Sequence, residues 1–505
     1  MVARLGTVPN VVGAATQGPD RSDALVLWRR SPYDQPVNTV GIEMLKRAVA
    51  VLAVLMAALA AGPAVAAPAD PGAADRADIS AEDGADISAD LGSGQGITVE
   101  SVERASEREY HLVVSTTALA QPVRLNLLLP HGYGEGRQRY ASLYLLHGTS
   151  GGADDWIELG DAVAATASLP AVVVIPDGGY AGGGGSWWND WVDQGTALGA
   201  ADWETFHIDQ LVPWVDAHLL TIATRGQRAI AGLSQGGFGS FSYAARHPDI
   251  FGAAASFSGA PDIAEDPVCR TGGGFIVGAI MTGLNQVQPF APFGDPVLEA
   301  INWRGHNPAS LVTNLADTDL AMWAGNGTPG PLDPPPGVDN VGGPDAIEIL
   351  THRSALCFAA AADAAGVDYR LTDYGPGTHR WAYWARDFVE WLPELSRFYG
   401  EHRTLPRLVG YTSIDPVWSQ WGWRVALDRD AEQAFSALTG AGVHGFTFTG
   451  GDARVRTPSA YRPGSRHLVR VAGSPARLRA DGRGRLVVAV SAPDATTPVE
   501  VRIGR

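Results

Sequence analysis

The chain has 505 residues, which is too long for one ordinary domain and predicts two or three folded units. Apolar residues make up 45% of it and charged residues 18%, a balance that indicates globular protein with a sizeable core and excludes a largely disordered chain. Its formal net charge of −17 argues against nucleic acid as a partner.

An export signal is the first predicted element, and it lies inside the sequence rather than at its start. A short basic region at 44–47 precedes an uninterrupted apolar run at 48–61, which is too short for a comfortable membrane span. A Gly-Pro pair ends the run, and Ala64-Val65-Ala66 supplies the small residues that signal peptidase needs. We therefore expect 44–66 to be a cleaved signal peptide and the mature protein to be secreted, with an uncleaved anchor as the alternative. Residues 1–43 are then a mis-assigned extension.

An α/β domain is predicted over 97–400, after a flexible linker at 67–96 that is rich in Ala, Asp, Gly and Ser. Short alternating runs at 97–129 are typical of antiparallel strands, and apolar strands then alternate with helices. Such alternation indicates a mostly parallel sheet covered on both faces. The predicted strands are Ser142–Leu146, Ala171–Ile175, Ala229–Ala231, Ala254–Phe257 and Leu320–Trp323, and the predicted helices are Trp203–Leu219, Gly237–Arg246, Ala346–Ala365 and Ala382–Phe398.

Residues 401–505 differ from everything before them. They carry 15 Arg and no Lys against nine Asp plus Glu, a net charge of +6, whereas the first 400 residues carry −23. Short Val, Leu, Phe and Thr runs divided by Gly and Pro predict a small all-β domain of unknown role. Its tryptophans Trp418, Trp421 and Trp423 either belong to its core or form a carbohydrate-binding face.

The strongest chemical signal is the motif Gly-Leu-Ser-Gln-Gly at 232–236, which follows an apolar strand and opens a helix. In an α/β-hydrolase the nucleophile occupies such a tight turn, and side chains two residues before and after it would collide with the neighbouring strand and helix. The helix N-terminus also favours developing negative charge. The motif therefore predicts an α/β-hydrolase fold with Ser234 as nucleophile, and a structural turn is the alternative.

A serine hydroxyl needs a base, and in this fold the base is a His on the loop after the last strand. Residues 368–374 are the predicted last strand, and His379 lies on the loop that follows it. His352, on a predicted helix, is the nearest rival. The acid is not determined by position alone, because five carboxylates lie in the available interval. They are Asp333, Asp339, Asp345, Glu348 and Asp363.

Two backbone N–H groups should form an oxyanion hole. One belongs to Gln235, directly after the nucleophile, and the other to the loop His-Gly-Thr-Ser at 147–150, where Thr149 is the better candidate. No metal-ligand spacing occurs, so we expect neither a metal nor an organic cofactor. Cys269 and Cys357 allow one disulfide in an exported chain, but their separation does not show whether they meet.

Over roughly 105–398 the chain resembles the mycolyltransferase (antigen 85-type) family of mycobacteria and its relative esterase D. The segments that carry the resemblance are Tyr144-Leu-Leu-His-Gly148, Ser186-Trp-Trp-Asn-Asp-Trp191, Trp203-Glu-Thr-Phe206, Gly232-Leu-Ser234, Ser258-Gly259, Gly325-Asn-Gly-Thr-Pro329 and Gly377-Thr-His379-Arg-Trp381. The resemblance implies a fold without a large lid and selects Glu348 as the acid. It also implies the oxyanion donors Thr149 and Gln235 and the substrate-binding residues Asp262, Arg380 and Trp381.

The implied activity is transfer of an acyl group from an ester or glycolipid, through an acyl-serine, to a sugar hydroxyl, with association with the cell envelope. Two positions depart from the family pattern: Ser150 replaces an Arg of trehalose-binding members, and His147 replaces an Asp. A secreted carboxylesterase that uses water and a catalytically idle wall-binding protein are therefore the alternatives. The segment 271–281 either lines an acyl-chain site or packs as core.

Overall fold

The computed structural model describes residues 86–264, 269, 271–335, 344–401, 405–428 and 434–504. The predicted extension, the signal peptide and most of the linker lie outside the described residues. The predicted linker ends before residue 96, because Ile87 and Leu91 are buried and the Ile87 N–H donates to the Tyr110 hydroxyl at 3.2 Å. Within the described part of the chain, no helix is both long and apolar enough to cross a membrane.

Nine strands form one sheet in the order β1-β2-β3-β5-β4-β6-β7-β8-β9. The first three strands and the β3–β5 pair are antiparallel, and every later pair is parallel. All residues of β4, β5, β6 and β7 are buried, as expected for strands covered on both faces. The strands are β1 (Ile97–Arg104), β2 (Glu109–Thr116), β3 (Val123–Leu128), β4 (Ala141–Leu146), β5 (Ala171–Pro176), β6 (Arg228–Leu233), β7 (Ala253–Phe257), β8 (Asp319–Ala324) and β9 (Arg370–Asp373).

Helices cover both faces of this sheet. Alternate side chains of β4 enter two different cores, because Leu143 and Leu145 pack on one face while Tyr144 and Leu146 pack on the other. The helices are α1 (Asp155–Glu158), α2 (Ala162–Ala165), α3 (Val212–His218), α4 (Gln235–Arg246), α5 (Gly273–Gly283), α6 (Ala300–His306), α7 (Ala346–Ala365) and α8 (Trp381–Gly400), with 3₁₀ turns at Arg225–Gln227 and Pro308–Leu315. The sheet and its helices confirm the predicted α/β-hydrolase architecture.

The predicted helix 203–219 differs from expectation in its first half. Thr205–Leu211 forms a π-helical turn that continues into α3. Pro213 stands near the start of α3, where it lacks an N–H and its ring would clash with the carbonyl of residue 209 in an uninterrupted α-helix. The wider turn relieves that conflict.

Residues 409–504 form two antiparallel sheets around one core. Their orders are β10-β13-β14-β19-β16-β17 and β11-β12-β15-β18. Trp418 and Trp423 are buried in that core, which accounts for two of the three tryptophans that could have formed a carbohydrate-binding face. The strands are β10 (Val409–Ser413), β11 (Val417–Gln420), β12 (Trp423–Leu427), β13 (Ser436–Gly442), β14 (Gly445–Thr449), β15 (Ala453–Arg456), β16 (Arg466–Val471), β17 (Ser474–Arg479), β18 (Val487–Val490) and β19 (Val499–Gly504).

Polar contacts tie this β unit to the hydrolase part. The Tyr411 hydroxyl donates to the Arg246 carbonyl at 2.7 Å, and the Arg246 guanidinium lies 2.7 Å from Glu204 and 3.6 Å from Asp415. The Asn314 amide exchanges two hydrogen bonds with the backbone of Thr412. The two parts therefore pack against each other at the C-terminal end of α4.

Candidate active site

Ser234 occupies the turn between β6 and α4 with φ 52° and ψ −120°, a conformation that is strained for a residue with a side chain. The flanking glycines are required by close approach. A Cβ on Gly232 would lie 2.3 Å from the Gly236 carbonyl oxygen, and a Cβ on Gly236 would lie 2.4 Å from the carbonyl oxygens of Leu146 and His147. The turn therefore holds the Ser234 hydroxyl above the end of the parallel strands.

A continuous hydrogen-bonded chain links this hydroxyl to a buried carboxylate. His379 Nε2 lies 2.8 Å from Ser234 Oγ, and His379 Nδ1 lies 2.7 Å from Glu348 Oε2. Glu348 is fully buried, so its carboxylate orients the imidazole with Nδ1–H as donor and Nε2 facing the serine. The structure thus brings together the three residues predicted as nucleophile, base and acid.

Glu348 is itself held by two further groups. Its Oε1 accepts hydrogen bonds from the Ser258 hydroxyl at 2.9 Å and from the Gly325 N–H at 2.7 Å. These donors follow β7, which lies beside the nucleophile strand β6, and β8, which is the next strand along the sheet, so the ends of two parallel strands position the acid. A buried carboxylate needs these hydrogen bonds, because burying it without partners would reduce the stability of the fold.

Asp345 has a role that the sequence reasoning missed, since it was considered there only as an alternative acid. It caps α7: its Oδ1 accepts from the backbone N–H groups of Ile347 at 2.9 Å and of Glu348 at 3.2 Å. Its Oδ2 accepts from the backbone N–H of His379 at 3.0 Å. The spacing Asp-x-x-Glu before an apolar helix is an N-cap signal, and that signal could have identified the cap but not the bond to His379.

The other residues considered as the acid or the base do not bond to the catalytic chain where the structure describes them. Asp333 accepts from the Tyr383 hydroxyl at 2.8 Å and also bonds the Thr378 hydroxyl, so it braces the loop beneath His379. Asp363 is exposed near the end of α7, and Asp339 lies outside the described residues. His352 pairs with Asp373 at 2.9 Å.

The loop after β4 runs directly beside the nucleophile. A Cβ on Gly148 would lie 3.2 Å from Ser234 Cβ, so the backbone just before Thr149 packs closely against the nucleophile residue. Gln235 is the first residue of α4, so its backbone N–H has no partner within the helix. The Gln235 side chain also reaches Thr149, with Nε2 at 3.3 Å from Oγ1. Both predicted oxyanion donors therefore belong to segments that meet at Ser234.

His147 fixes this loop. It is buried, its Nε2 accepts from the Gly178 N–H at 2.7 Å, and its Nδ1 lies 2.8 Å from the Gly148 carbonyl oxygen. Because a backbone N–H can only donate, the ring is neutral with its proton on Nδ1. His147 thus joins the loops after β4 and β5.

The aromatic segment 186–191 forms a wall beside the nucleophile turn and also belongs to the core. The Trp187 N–H donates to Gln235 Oε1 at 3.1 Å, and Gln235 Nε2 donates to the Gly184 carbonyl at 3.1 Å. Trp187 and Trp188 are buried with φ of 60° and 51°, unusual values for bulky residues. These tryptophans therefore serve both as core residues and as a support for the turn that carries the nucleophile.

The predicted substrate-binding residues are engaged with the protein. The Asp262 carboxylate is buried and accepts from the Asn307 amide at 2.9 Å. Arg380 lies 3.6 Å from Asp333, and Trp381 packs edge-on against Trp156. Their contact with substrate stays a prediction.

The segment 271–281 forms most of α5, which is only partly core. Val277 and Met281 are fully buried, whereas Phe275 is 38% exposed. Just before this helix, Cys269 forms a disulfide with Cys357 on α7, with Cα atoms 5.9 Å apart. The two cysteines therefore pair with each other, and their bond ties the segment before α5 to the helix that carries Glu348.

The parallel sheet, the strained serine turn and the Ser–His–Glu chain define a hydrolase of the α/β type. Comparison of the sequence with models of protein families agrees with this class. A family model described as "Putative esterase" matches residues 116–395. The chain belongs to this esterase family.

Several named relatives are similar to parts of the chain. Esterase Rv1288 of Mycobacterium tuberculosis is 35% identical over 209 residues, which cover 37% of this chain and 43% of that protein. The chain thus spans under half the length of this relative. The diacylglycerol acyltransferase/mycolyltransferase Ag85B of Mycolicibacterium smegmatis is 30% identical over 45% of this chain and 67% of its own. The crystal structure of M. tuberculosis MPT51 matches 57% of this chain and 97% of its own, at 23% identity and a TM-score of 0.45.

Proposed function

We propose that the protein is a secreted serine esterase that forms an acyl ester on Ser234. The observation that carries the proposal is the hydrogen-bonded chain from Ser234 through His379 to the buried Glu348. Such a chain activates a hydroxyl that is otherwise a weak nucleophile. Membership in the esterase family gives the reaction class.

In the first half-reaction, Ser234 Oγ attacks the ester carbonyl while His379 Nε2 takes its proton. Glu348 stabilises the imidazolium that forms. The negative charge on the carbonyl oxygen is held by the backbone N–H groups of Thr149 and Gln235. Collapse of this intermediate breaks the bond to the alcohol, which leaves with the proton from His379 and yields acyl-Ser234.

In the second half-reaction, an acceptor hydroxyl gives its proton to His379 Nε2 and attacks the acyl carbonyl. The bond to Ser234 then breaks, and the serine regains its proton from His379. With water as acceptor the product is a free acid. With a sugar as acceptor the product is a new ester.

Water is the acceptor that the site supports best. The Asp262 carboxylate, which the family resemblance assigns to substrate binding, is buried and accepts a hydrogen bond from the Asn307 amide. Position 150 carries a serine instead of an arginine. Transfer to a sugar hydroxyl is the second candidate, and the similarity to Ag85B, named as a mycolyltransferase, favours it.

Export is part of the proposal. A disulfide persists in oxidising compartments and is rare in the cytosol, so the Cys269–Cys357 bond supports secretion. Cleavage after Ala66 would give a mature protein that begins at Ala67. N-terminal sequencing of protein recovered from culture medium tests this, and a mature end far from Ala67 contradicts it.

The chemistry is tested with a chromogenic short-chain ester. The wild-type protein should release the chromophore, and Ser234→Ala should not, while its circular dichroism stays unchanged. Mass spectrometry during turnover should find the acyl mass on the peptide that contains Ser234. No turnover by the wild type would favour the wall-binding alternative.

The acceptor is tested with a glycolipid acyl donor in the presence and absence of free trehalose. The esterase proposal predicts free acid in both cases. Acylated trehalose as the main product would establish the transferase instead.

A further inference from the structure

One stretch of the β unit is strongly basic. The 28 residues from Ala453 to Ala480 contain seven Arg and no Asp or Glu, in a chain whose first 400 residues carry a net charge of −23. This stretch includes β15 and the hairpin of β16 and β17, which forms the edge of the six-stranded sheet.

Strand register places the arginines of the hairpin on one face. Arg466 pairs with Arg479, and Leu468 pairs with Arg477. Arg470 pairs with Arg502 on the neighbouring strand β19. Side chains paired across strands share a face, and those two residues apart along a strand do as well. All five arginines therefore project from the same side, and we call them the arginine face.

This face points away from the core. Val469, between Arg466 and Arg470 on β16, is fully buried, so its neighbours point outward. The five arginines are all exposed, and Leu468 among them is 37% exposed. The strand β10, which contacts the hydrolase part through Tyr411, lies at the opposite end of the sheet.

The charge of the face is only partly neutralised within the protein. Arg502 pairs with Glu500 at 2.7 Å, and Arg479 Nε donates to the Gly464 carbonyl at 3.1 Å. Among the residues that the structure describes, no carboxylate forms an ion pair with Arg466, Arg470 or Arg477. Like charges directly opposite each other destabilise a sheet, and Arg466 faces Arg479 in this way. An anionic partner would remove that cost.

We propose that the arginine face docks on the anionic surface of a lipid bilayer. Guanidinium groups bind phosphate through two parallel hydrogen bonds. The Cα atoms of these arginines form a two-dimensional array on an outward sheet face, about 5 Å apart across strands and about 7 Å (Arg477 to Arg479) or about 14 Å (Arg466 to Arg470) along them. Such an array matches a layer of headgroups better than a single linear polyanion. Leu468 at its centre would enter the interface between headgroups and acyl chains.

The proposal is tested by co-sedimentation of the full mature chain with vesicles of phosphatidylcholine, with and without phosphatidylglycerol. We expect binding only to the anionic vesicles, and weaker binding as salt is added. The triple variant Arg466→Gln, Arg470→Gln and Arg477→Gln should lose about a hundredfold in affinity, since each basic residue near an anionic surface contributes about a factor of five. Turnover of the soluble short-chain ester by this variant should be the same as that of the wild type.

A second triple variant serves as the matched control. Arg407→Gln, Arg424→Gln and Arg454→Gln remove the same charge from exposed positions of the same unit outside the arginine face. It should lose far less affinity. An equal loss in both triples, or no binding of the wild type to anionic vesicles, overturns the proposal. Tighter binding to soluble dextran sulfate than to the vesicles also overturns it, in favour of a polyanionic glycan. Thermal melts show that each variant is folded.

Discussion

The carboxylate of Asp345 accepts the backbone N–H of His379 at 3.0 Å, although the two residues lie 34 positions apart. The same carboxylate caps the helix that carries Glu348. One side chain therefore fixes the backbone of the base and the backbone of the acid. It touches neither the serine nor a substrate site, so its contribution is to position the other two.

Asp345→Asn should separate these two tasks. Asn remains a good helix cap, but its amide has one acceptor and would oppose a donor to either α7 or His379. We expect kcat to fall by about tenfold with KM within about twofold, and the melting temperature to change little. Asp345→Ala should lose both activity and stability. Asp363→Asn, at the exposed end of the same helix, is the control, and wild-type kcat in Asp345→Asn would remove the positioning role.

The choice of base is tested by two histidine variants. His379→Ala should reduce kcat by a factor on the order of 10⁴ or more, because the serine loses its proton acceptor. His352→Ala should leave kcat near that of the wild type, since His352 bonds Asp373 on the protein surface. Steady-state kinetics with a short-chain ester measures both. Loss of activity in His352→Ala at unchanged stability would refute the assignment.

The disulfide between Cys269 and Cys357 closes a loop across 88 positions and holds the helix that carries Glu348. Replacing both cysteines by serine should destabilise the protein by about 2–4 kcal/mol. Urea unfolding with and without reductant measures this. Reductant should lower the midpoint of the wild type and not that of the double variant; equal midpoints for the two proteins would contradict the prediction.

Asp387 lies fully buried on α8, and burial raises the pKa of its carboxyl to about 7 despite the bond to Arg386. The folded state therefore holds a proton that the unfolded chain releases near pH 4. This group adds stability at low pH, and that stability is lost as pH rises from about 4 to about 7. Asp387→Asn should flatten this slope and be more stable than the wild type at pH 8 by up to a few kcal/mol.

Urea titrations between pH 5 and 8 measure the effect of Asp387. Glu390→Gln, at a half-exposed acid on the same helix whose charge is a smaller cause of the raised pKa of Asp387, provides the comparison and should change the slope much less than Asp387→Asn. If Asp387→Asn keeps the pH dependence of the wild type, the buried carboxyl is not its source.

Glu204 anchors the cluster beneath the β unit. It is buried, and the charge of Arg246 holds its pKa well below the usual range although burial acts in the opposite direction. Its ionised form therefore stabilises the fold above the ordinary pKa of a glutamate, and this is lost as pH falls into the acid range. Glu204→Gln removes the carboxylate that pairs most closely with Arg246. The free energy of unfolding, measured with urea near pH 7, should fall by about 3–5 kcal/mol.

Asp415 also faces Arg246, but it is 38% exposed and more distant, at 3.6 Å. Asp415→Asn should therefore cost much less than Glu204→Gln. An equal decrease in the free energy of unfolding for both variants would contradict the prediction that the buried pair of Glu204 and Arg246 stabilises the fold more than the pair of Asp415 and Arg246.

Much of the catalytic centre could be predicted from the sequence because it depends on local pattern. The glycines around Ser234 are required by contacts within a few residues of the turn and with the adjacent strand, and continuous apolar runs between helices located the parallel strands. His379 followed from chain order. Glu348 did not: five carboxylates were compatible with the interval, and only the resemblance to a family separated them.

Tertiary structure decided what depends on pairs far apart in the chain. The packing of α7 against the sheet decides that Cys269 meets Cys357. The same packing brings Asp345 to the backbone of His379. The burial of Asp262 and the shared face of Arg466 and Arg479 follow from packing and strand register, which composition does not specify. The sequence determined the reaction class through local sterics, whereas distances between remote segments decided which polar groups face each other.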